Sequence, residues 1–301
     1  MIRQHSNSDV QIGRLFSFLL SAIGLCLIGV FITKLISRSL QIALTDYLLL
    51  ALGFAVAWIG VKFNISEFIF SEGGRQRINL LFFKIGLTLS GLLIILKIFV
   101  GETGSYMRSL EEGGIVEWAS FLFLLSSAYM LFWCSRIVRP LFLKTTYRAI
   151  SVISFVVGME EVSWGQILFG WQTPEKLSLI NAQGETNLHN IQLVHGHADL
   201  AFGVVLLLII IISLSAEKLS GLSGKSLFVN HLAQLAPSRL LLVYFLPACI
   251  LILSLYFDLH EYTMSFTYQG EEEVAEMLGA LGLFAYSISQ ASLSWKLSRS
   301  Y

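Results

Sequence analysis

Charge is what this sequence has least of. Only 13% of its 301 residues are Asp, Glu, Lys or Arg, against 55% that are hydrophobic, and the mean hydropathy is +0.72. A soluble domain carries about a quarter of charged residues, so the composition points instead to an integral membrane protein. Basic patches interleaved with aromatic residues are missing as well, which excludes nucleic acid as a partner. Cysteine is scarce: Cys26, Cys134 and Cys249 all lie inside apolar runs, so no disulfide framework is expected. A signal peptide is not expected either. Arg3 and Arg14 precede an apolar stretch, but residues 15 to 35 run too long for a signal core and carry no small-residue cleavage pattern, so this stretch reads as a retained first helix.

What the chain has in abundance is long apolar segments. A membrane-spanning helix needs roughly 20 mostly apolar residues, and eight stretches meet that requirement: 14 to 36, 43 to 62, 79 to 100, 116 to 137, 148 to 170, 198 to 215, 239 to 259 and 273 to 294. The expected fold is all-α, a single polytopic transmembrane bundle over residues 1 to 301 with about eight spans. Lys and Arg test the topology. With eight spans, 14 of the 20 fall on the side of the N-terminus and 4 on the opposite side, with Lys84 and Lys97 near the ends of the third helix. The positive-inside rule then places both termini in the cytoplasm, as expected for a plasma (inner) membrane protein.

The acids are distributed the other way. Sixteen of the 20 lie on or near the outward side, as do four of the six histidines. Asp and Glu contribute little to topology, so this bias needs its own cause. The sharpest feature is GMEEVSWGQ, in which Glu160 and Glu161 follow the apolar run AISVISFVV. A charge near the centre of a span costs about 2.5–3.5 kcal/mol on insertion scales, so carboxyls there are functional candidates. Successive helical positions lie about 100° apart. One glutamate is therefore expected to face a cavity while the other hydrogen-bonds a neighbouring helix.

A second polar concentration follows. Residues 171 to 197 read as an outward interfacial or re-entrant segment, with Thr173 as N-cap and Pro174 opening a short helix over EKLSLI. It leads through Asn181, Gln183, Glu185, Asn187, His189 and Asn190 to His195, His197 and Asp199. His195 and Asp199 are one helical turn apart. Asp258 and His260 close the seventh span, and at the start of the eighth Glu272 and Glu276 share a helix face.

These residues support several chemistries. In the first, a divalent metal such as zinc is held by a subset of His189, His195, His197, Asp199, Asp258 and His260, since imidazole and carboxylate suit zinc and three protein ligands plus water make a catalytic site. No HExxH spacing is present. In the second, Glu160 or Glu161 acts as general acid or base beside His189 or His195. The paired glutamates resemble the EExxxR motif of intramembrane CAAX-type proteases in those two positions alone. Gly165 stands where that motif has Arg and the FxxxH element is missing, so no residue role is carried over. In either case the expected substrate is a lipid or lipid-linked molecule entering from the bilayer. Trp164, Gln166, Gln183, Glu185, Asn187 and Asn190 would contact its head group. Two alternatives belong to other classes: an ion- or proton-coupled transporter using the intramembrane acids, and a structural or assembly protein whose outward acids are merely solvated.

Overall fold

A computed structural model describes residues 21, 25, 28, 73–100, 115–181, 184–188, 190–191, 194–222, 226–257 and 271–299. Over these the chain is helical, with an isolated bridge between Asn181 and Ile191 as the one extended pairing. Long helices are α1 (Gly74–Val100), α2 (Ile115–Ile137), α3 (Leu141–Glu161), α6 (His195–Leu222), α8 (Leu242–Tyr256) and α9 (Glu272–Ser298). Short ones are α4 (Gln166–Phe169), α5 (Glu175–Ser178) and α7 (Leu227–Leu235), with single 3-10 turns at Ser163–Gly165 and Arg239–Leu241.

Five of the described segments are long and apolar enough to cross a membrane: Gly74–Ile94, Val116–Ile137, Leu141–Glu161, His197–Ala216 and Leu227–Tyr256. They correspond to the third to seventh expected spans, with shifted bounds. Of the first two expected spans, all but residues 21, 25 and 28 lie outside the described residues. The eighth is a helix, α9, that is not among those five, and its packing shows how it differs. It is the axis of the bundle, in contact with α1, α2 and α8. Its residues from Val274 to Ser294 are mostly buried, including Ser287, Ser289, Gln290 and Ser294. A helix surrounded by other helices has no need of a lipid-facing apolar surface, and small or polar side chains favour close helix contact in membranes.

The packing follows from residue size. At Gly282, an added Cβ would lie 2.7 Å from the Phe245 ring and 2.9 Å from Tyr244 Cβ; at Gly86 it would lie 2.5 Å from Val243. Only glycine lets α8 seat against both α9 and α1. Phe284 of α9 then stacks with Phe123 of α2 at 5.7 Å and meets Phe82 of α1 edge-on at 6.0 Å. Buried hydroxyls add specific ties: Tyr244 donates to the carbonyl of Phe82 at 2.6 Å, Ser151 to that of Ala128 at 2.7 Å, and Tyr147 to Gln290 Oε1 at 2.9 Å.

One expected helix differs in its end. The fifth span was expected over 148 to 170, but α3 starts at Leu141, directly after Pro140, and stops at Glu161. Beyond it, Ser163 (φ 45), Trp164 (φ 56) and Gly165 (φ 96) turn left-handed in succession. Two consecutive non-glycine residues in that region store strain that surrounding contacts must overcome.

Candidate functional site

The left-handed turn separates the two glutamates. Glu160, the buried one of the pair, accepts a short hydrogen bond from the Trp164 indole N–H and another from the backbone N–H of Leu188 at 2.6 Å. It thereby ties the segment around Leu188 to the end of α3. Glu161 faces another way. One carboxylate oxygen each from Glu161, Glu273 and Glu276 lie within 4.8 Å of one another. The expectation that adjacent positions diverge is met, but the partner differs: Glu160 bonds not to a neighbouring helix but to the non-helical backbone at Leu188, and Glu161 faces the acids of α9.

The segment held by Glu160 forms a closed polar cap. Ser163, 1% exposed, donates a short hydrogen bond to Glu185 Oε2. Asn187 Nδ2 donates to that same oxygen at 2.8 Å and to Ser163 Oγ at 3.1 Å. Asn181 in turn donates to the Asn187 carbonyl at 3.0 Å and to Asn187 Oδ1 at 2.9 Å, while its own Oδ1 accepts from the Glu185 N–H at 3.1 Å. Gln166 spans the cap. Its Oε1 accepts from the Thr186 N–H at 2.7 Å and its Nε2 donates to Thr173 Oγ1 at 2.9 Å. These bonds offset the strained turn, and no single one of them accounts for it.

Thr173 therefore does not cap α5 as expected. Pro174 holds the N-cap position and no side chain bonds the helix end, because the Thr173 hydroxyl lies between Gln166 and Thr186 Oγ1, 3.2 Å from the latter. Around the cap, apolar side chains stand exposed: Trp164, Phe169, Trp171, Leu179, Ile180 and Leu188. Phe169 stacks on Trp171 at 5.6 Å and 10°. Beneath this rim lie buried Asn181, Asn187 and Asn190.

Of the residues singled out from the sequence, Glu160, Trp164, Gln166, Glu185 and Asn187 are thus brought into one network, with Asn190 buried in the same segment. Their hydrogen-bonding groups engage one another and the cap backbone. His195 and His197 stand in the first turn of α6 and Asp199 one turn on from His195, with His197 exposed and Asp199 half-buried. Gln183, His189, Asp258 and His260 lie outside the described residues. The pairing expected of Glu272 with Glu276 is replaced at the acid cluster by Glu273 with Glu276. Glu273 and Glu276 are three apart, a spacing that also shares a helix face, so that signal was present. Ser163 carried no signal, since neither it nor Trp164 is a residue type that favours a left-handed backbone.

At the opposite end of the bundle the chemistry inverts. Tyr147 lies 14 residues before Glu161, roughly 21 Å along α3. Near its partner Gln290, the Arg75 guanidinium donates to Ser289 Oγ at 3.3 Å and to the carbonyls of Ala236 and Gln234 at 3.3 and 3.5 Å. Tyr286 donates to the Leu235 carbonyl at 2.9 Å and Gln290 to that of Gln234 at 3.1 Å. Here the last carbonyls of α7 receive a cation and two neutral donors, the arrangement a helix C-terminus favours.

Fold and site together define a class, a helical bundle with several segments long and apolar enough to span a membrane and a carboxylate-lined polar end. Comparison with protein-family models, curated proteins and solved structures finds no match for the chain.

Proposed function

We propose that the protein is a membrane-embedded enzyme that hydrolyses, or transfers a group from, a lipid or lipid-linked substrate, with its site at the outward face. In this reading the bundle has about eight spans and both termini in the cytoplasm, as the Lys and Arg distribution favours. The observation that carries the proposal is the separation of the two glutamates: Glu160 is committed to holding the cap, while Glu161 is directed to the carboxylates of Glu273 and Glu276. Adjacent carboxylates can divide acid and base roles. One takes the proton from the attacking water or hydroxyl, and another returns a proton to the departing oxygen. The exposed aromatic rim fits a head group approaching from the bilayer, since indole rings prefer the interface, and the amide network serves as the rigid support such a site needs.

The test is turnover. Purified full-length protein in lipid nanodiscs, given a panel of phospholipids and polyprenyl phosphates, is expected to release a head-group product detectable by mass spectrometry, and Glu161→Gln to reduce it by about a hundredfold or more. Absence of product from every lipid, together with Glu161-dependent proton or cation flux in liposomes, would replace the enzyme with a transporter.

A further inference from the structure

We infer that the groove between α2 and α3, on the side turned away from α9, binds an anionic phospholipid of the bilayer, with Arg136 and Arg148 on its phosphate. Only residues 138–140 separate the two helices, so they run antiparallel. They pack through Ser151, which donates to the Ala128 carbonyl, and through Gly158, where an added Cβ would lie 3.2 Å from Leu124 Cβ. These contacts fix the level and the rotation of one helix against the other. Counted at the helical period from each contact, Tyr129, Phe132 and Arg136 of α2 and Arg148, Val152 and Phe155 of α3 project to the same side of the pair, and all six are exposed. That side is opposite Phe123, through which α2 meets α9. At about 1.5 Å per residue, Arg148 lies roughly 3 Å along the pair from Tyr129 and roughly 8 Å from Arg136.

Each arginine ends an apolar stripe. Phe155 and Val152 lead along α3 to Arg148, and Tyr129 and Phe132 lead along α2 to Arg136, so an acyl chain lying in the groove brings its phosphate to the guanidiniums. The charge fits that occupant: from Trp118 to Gly158 the chain has Arg136, Arg139, Lys144 and Arg148 and no Asp or Glu. Among the described residues, neither the Arg136 nor the Arg148 side chain has an ion-pair partner. Insertion topology accounts for basic residues beyond helix ends, and so for Arg139 in the connection. It does not account for Arg148, which stands seven residues past Leu141, roughly 10 Å into α3, on the face that continues into Val152, itself 62% exposed. A charge at that depth is costly unless it reaches the interface or is paired. A lipid phosphate pairs it, and the planar fork of Arg matches phosphate oxygens two at a time. Tyr129 points to the same occupant. It is 42% exposed beside Phe132 and its hydroxyl bonds to no described group. A phenol away from water needs an acceptor, which a phosphate or ester oxygen of a lipid held by Arg148 supplies.

The groove lies roughly 18 Å along α3 from Glu160, and its test reads binding and not turnover, so it and the enzymatic reading can fail separately. Full-length protein, delipidated in non-ionic detergent, is titrated with phosphatidylglycerol and in parallel with phosphatidylcholine, inorganic phosphate and glycerophosphoglycerol. Bound lipid is counted by native mass spectrometry, and Tm is followed alongside. Phosphatidylglycerol is expected to saturate one site about tenfold or more tighter than phosphatidylcholine and to raise Tm, and neither water-soluble phosphate is expected to displace it. Arg148→Gln and Arg136→Gln should each weaken that binding by about tenfold, and Tyr129→Phe by about threefold. Lys218→Gln and Lys296→Gln, which remove exposed cations of α6 and α9 outside the groove, should leave it unchanged. Because the groove side chains are exposed, the variants are expected to keep the parent's Tm in the absence of lipid. Should Arg148→Gln fail to fold, Arg148→Lys, which keeps the charge and loses the fork, is expected to bind between the parent and Arg136→Gln. The site is overturned if the parent binds both lipids equally, or if folded Arg variants keep the parent's preference. It is overturned equally if Lys218→Gln weakens binding as much as Arg148→Gln, which would mean diffuse surface charge, or if glycerophosphoglycerol displaces the lipid, which would mean a site for soluble phosphates.

Discussion

The two ends of α3 and α9 handle partly buried charge in opposite ways. At one end Arg75 is surrounded by carbonyl and hydroxyl oxygens, three of which accept its hydrogen bonds. At the other, Glu161 and Glu273 face further carboxylates. A buried charge provided with hydrogen-bond partners fixes geometry, whereas one left among like charges is expensive in the folded protein alone. The comparison separates an end whose charge is tied by hydrogen bonds from one where carboxylates face one another. Within the acid end the same contrast recurs one residue apart, since Glu160 has two donors and Glu161 faces the cluster.

Substitutions can break that comparison. The largest effect is expected from Arg75→Leu, which leaves the carbonyls of Gln234 and Ala236 without their cationic donor and should destabilise the protein by about 3 kcal/mol, measured by thermal or denaturant unfolding in detergent. Glu160→Ala comes next, at about 2 kcal/mol, with a local signature: the Leu188 amide loses its protection in hydrogen exchange and the segment around it becomes accessible to protease. Unchanged protection of Leu188 would show that Glu160 does not hold the cap. Ser163→Ala removes the hydroxyl bonded to Glu185 and Asn187 without relieving the left-handed backbone. It should cost about 1–2 kcal/mol, and Ser163→Gly, which relieves the backbone, should recover part of that loss. Tyr147→Phe deletes one neutral hydrogen bond to Gln290 and should cost about 1 kcal/mol. Smallest, and opposite in sign, is Glu161→Gln in cation-free buffer, expected to raise stability by less than about 1 kcal/mol. If it destabilises like Glu160→Ala, the two glutamates do the same work and the distinction between them falls.

Much of the helical layout was legible in the sequence, because apolar segments of spanning length carry their own signal. The five segments long and apolar enough to span a membrane fall where apolar runs were expected, and α9 was recognisable as a helix although its burial was not, since Ser, Gly and Gln mark an internal helix only once its neighbours are known. The divergence of Glu160 from Glu161 followed from the helical angle alone. Which of them faced the cap did not, because that depends on the turn at Ser163 and Trp164, whose left-handed conformation contradicts their residue types. Thr173 shows the same limit: its local pattern is that of an N-cap, and bonds to Gln166 and Thr186 override it.

What the sequence by itself determined was an apolar chain of helices, with basic residues gathered on one side of the expected spans and acids on the other, because hydrophobic length and charge placement act residue by residue. Only the tertiary structure decided that Glu161 meets Glu273 and Glu276, and that Glu160 is spent on the backbone of Leu188. Those meetings join positions more than a hundred residues apart in one case and 28 in the other. They depend on how α3 ends and on how closely α9 packs, neither of which any local pattern encodes.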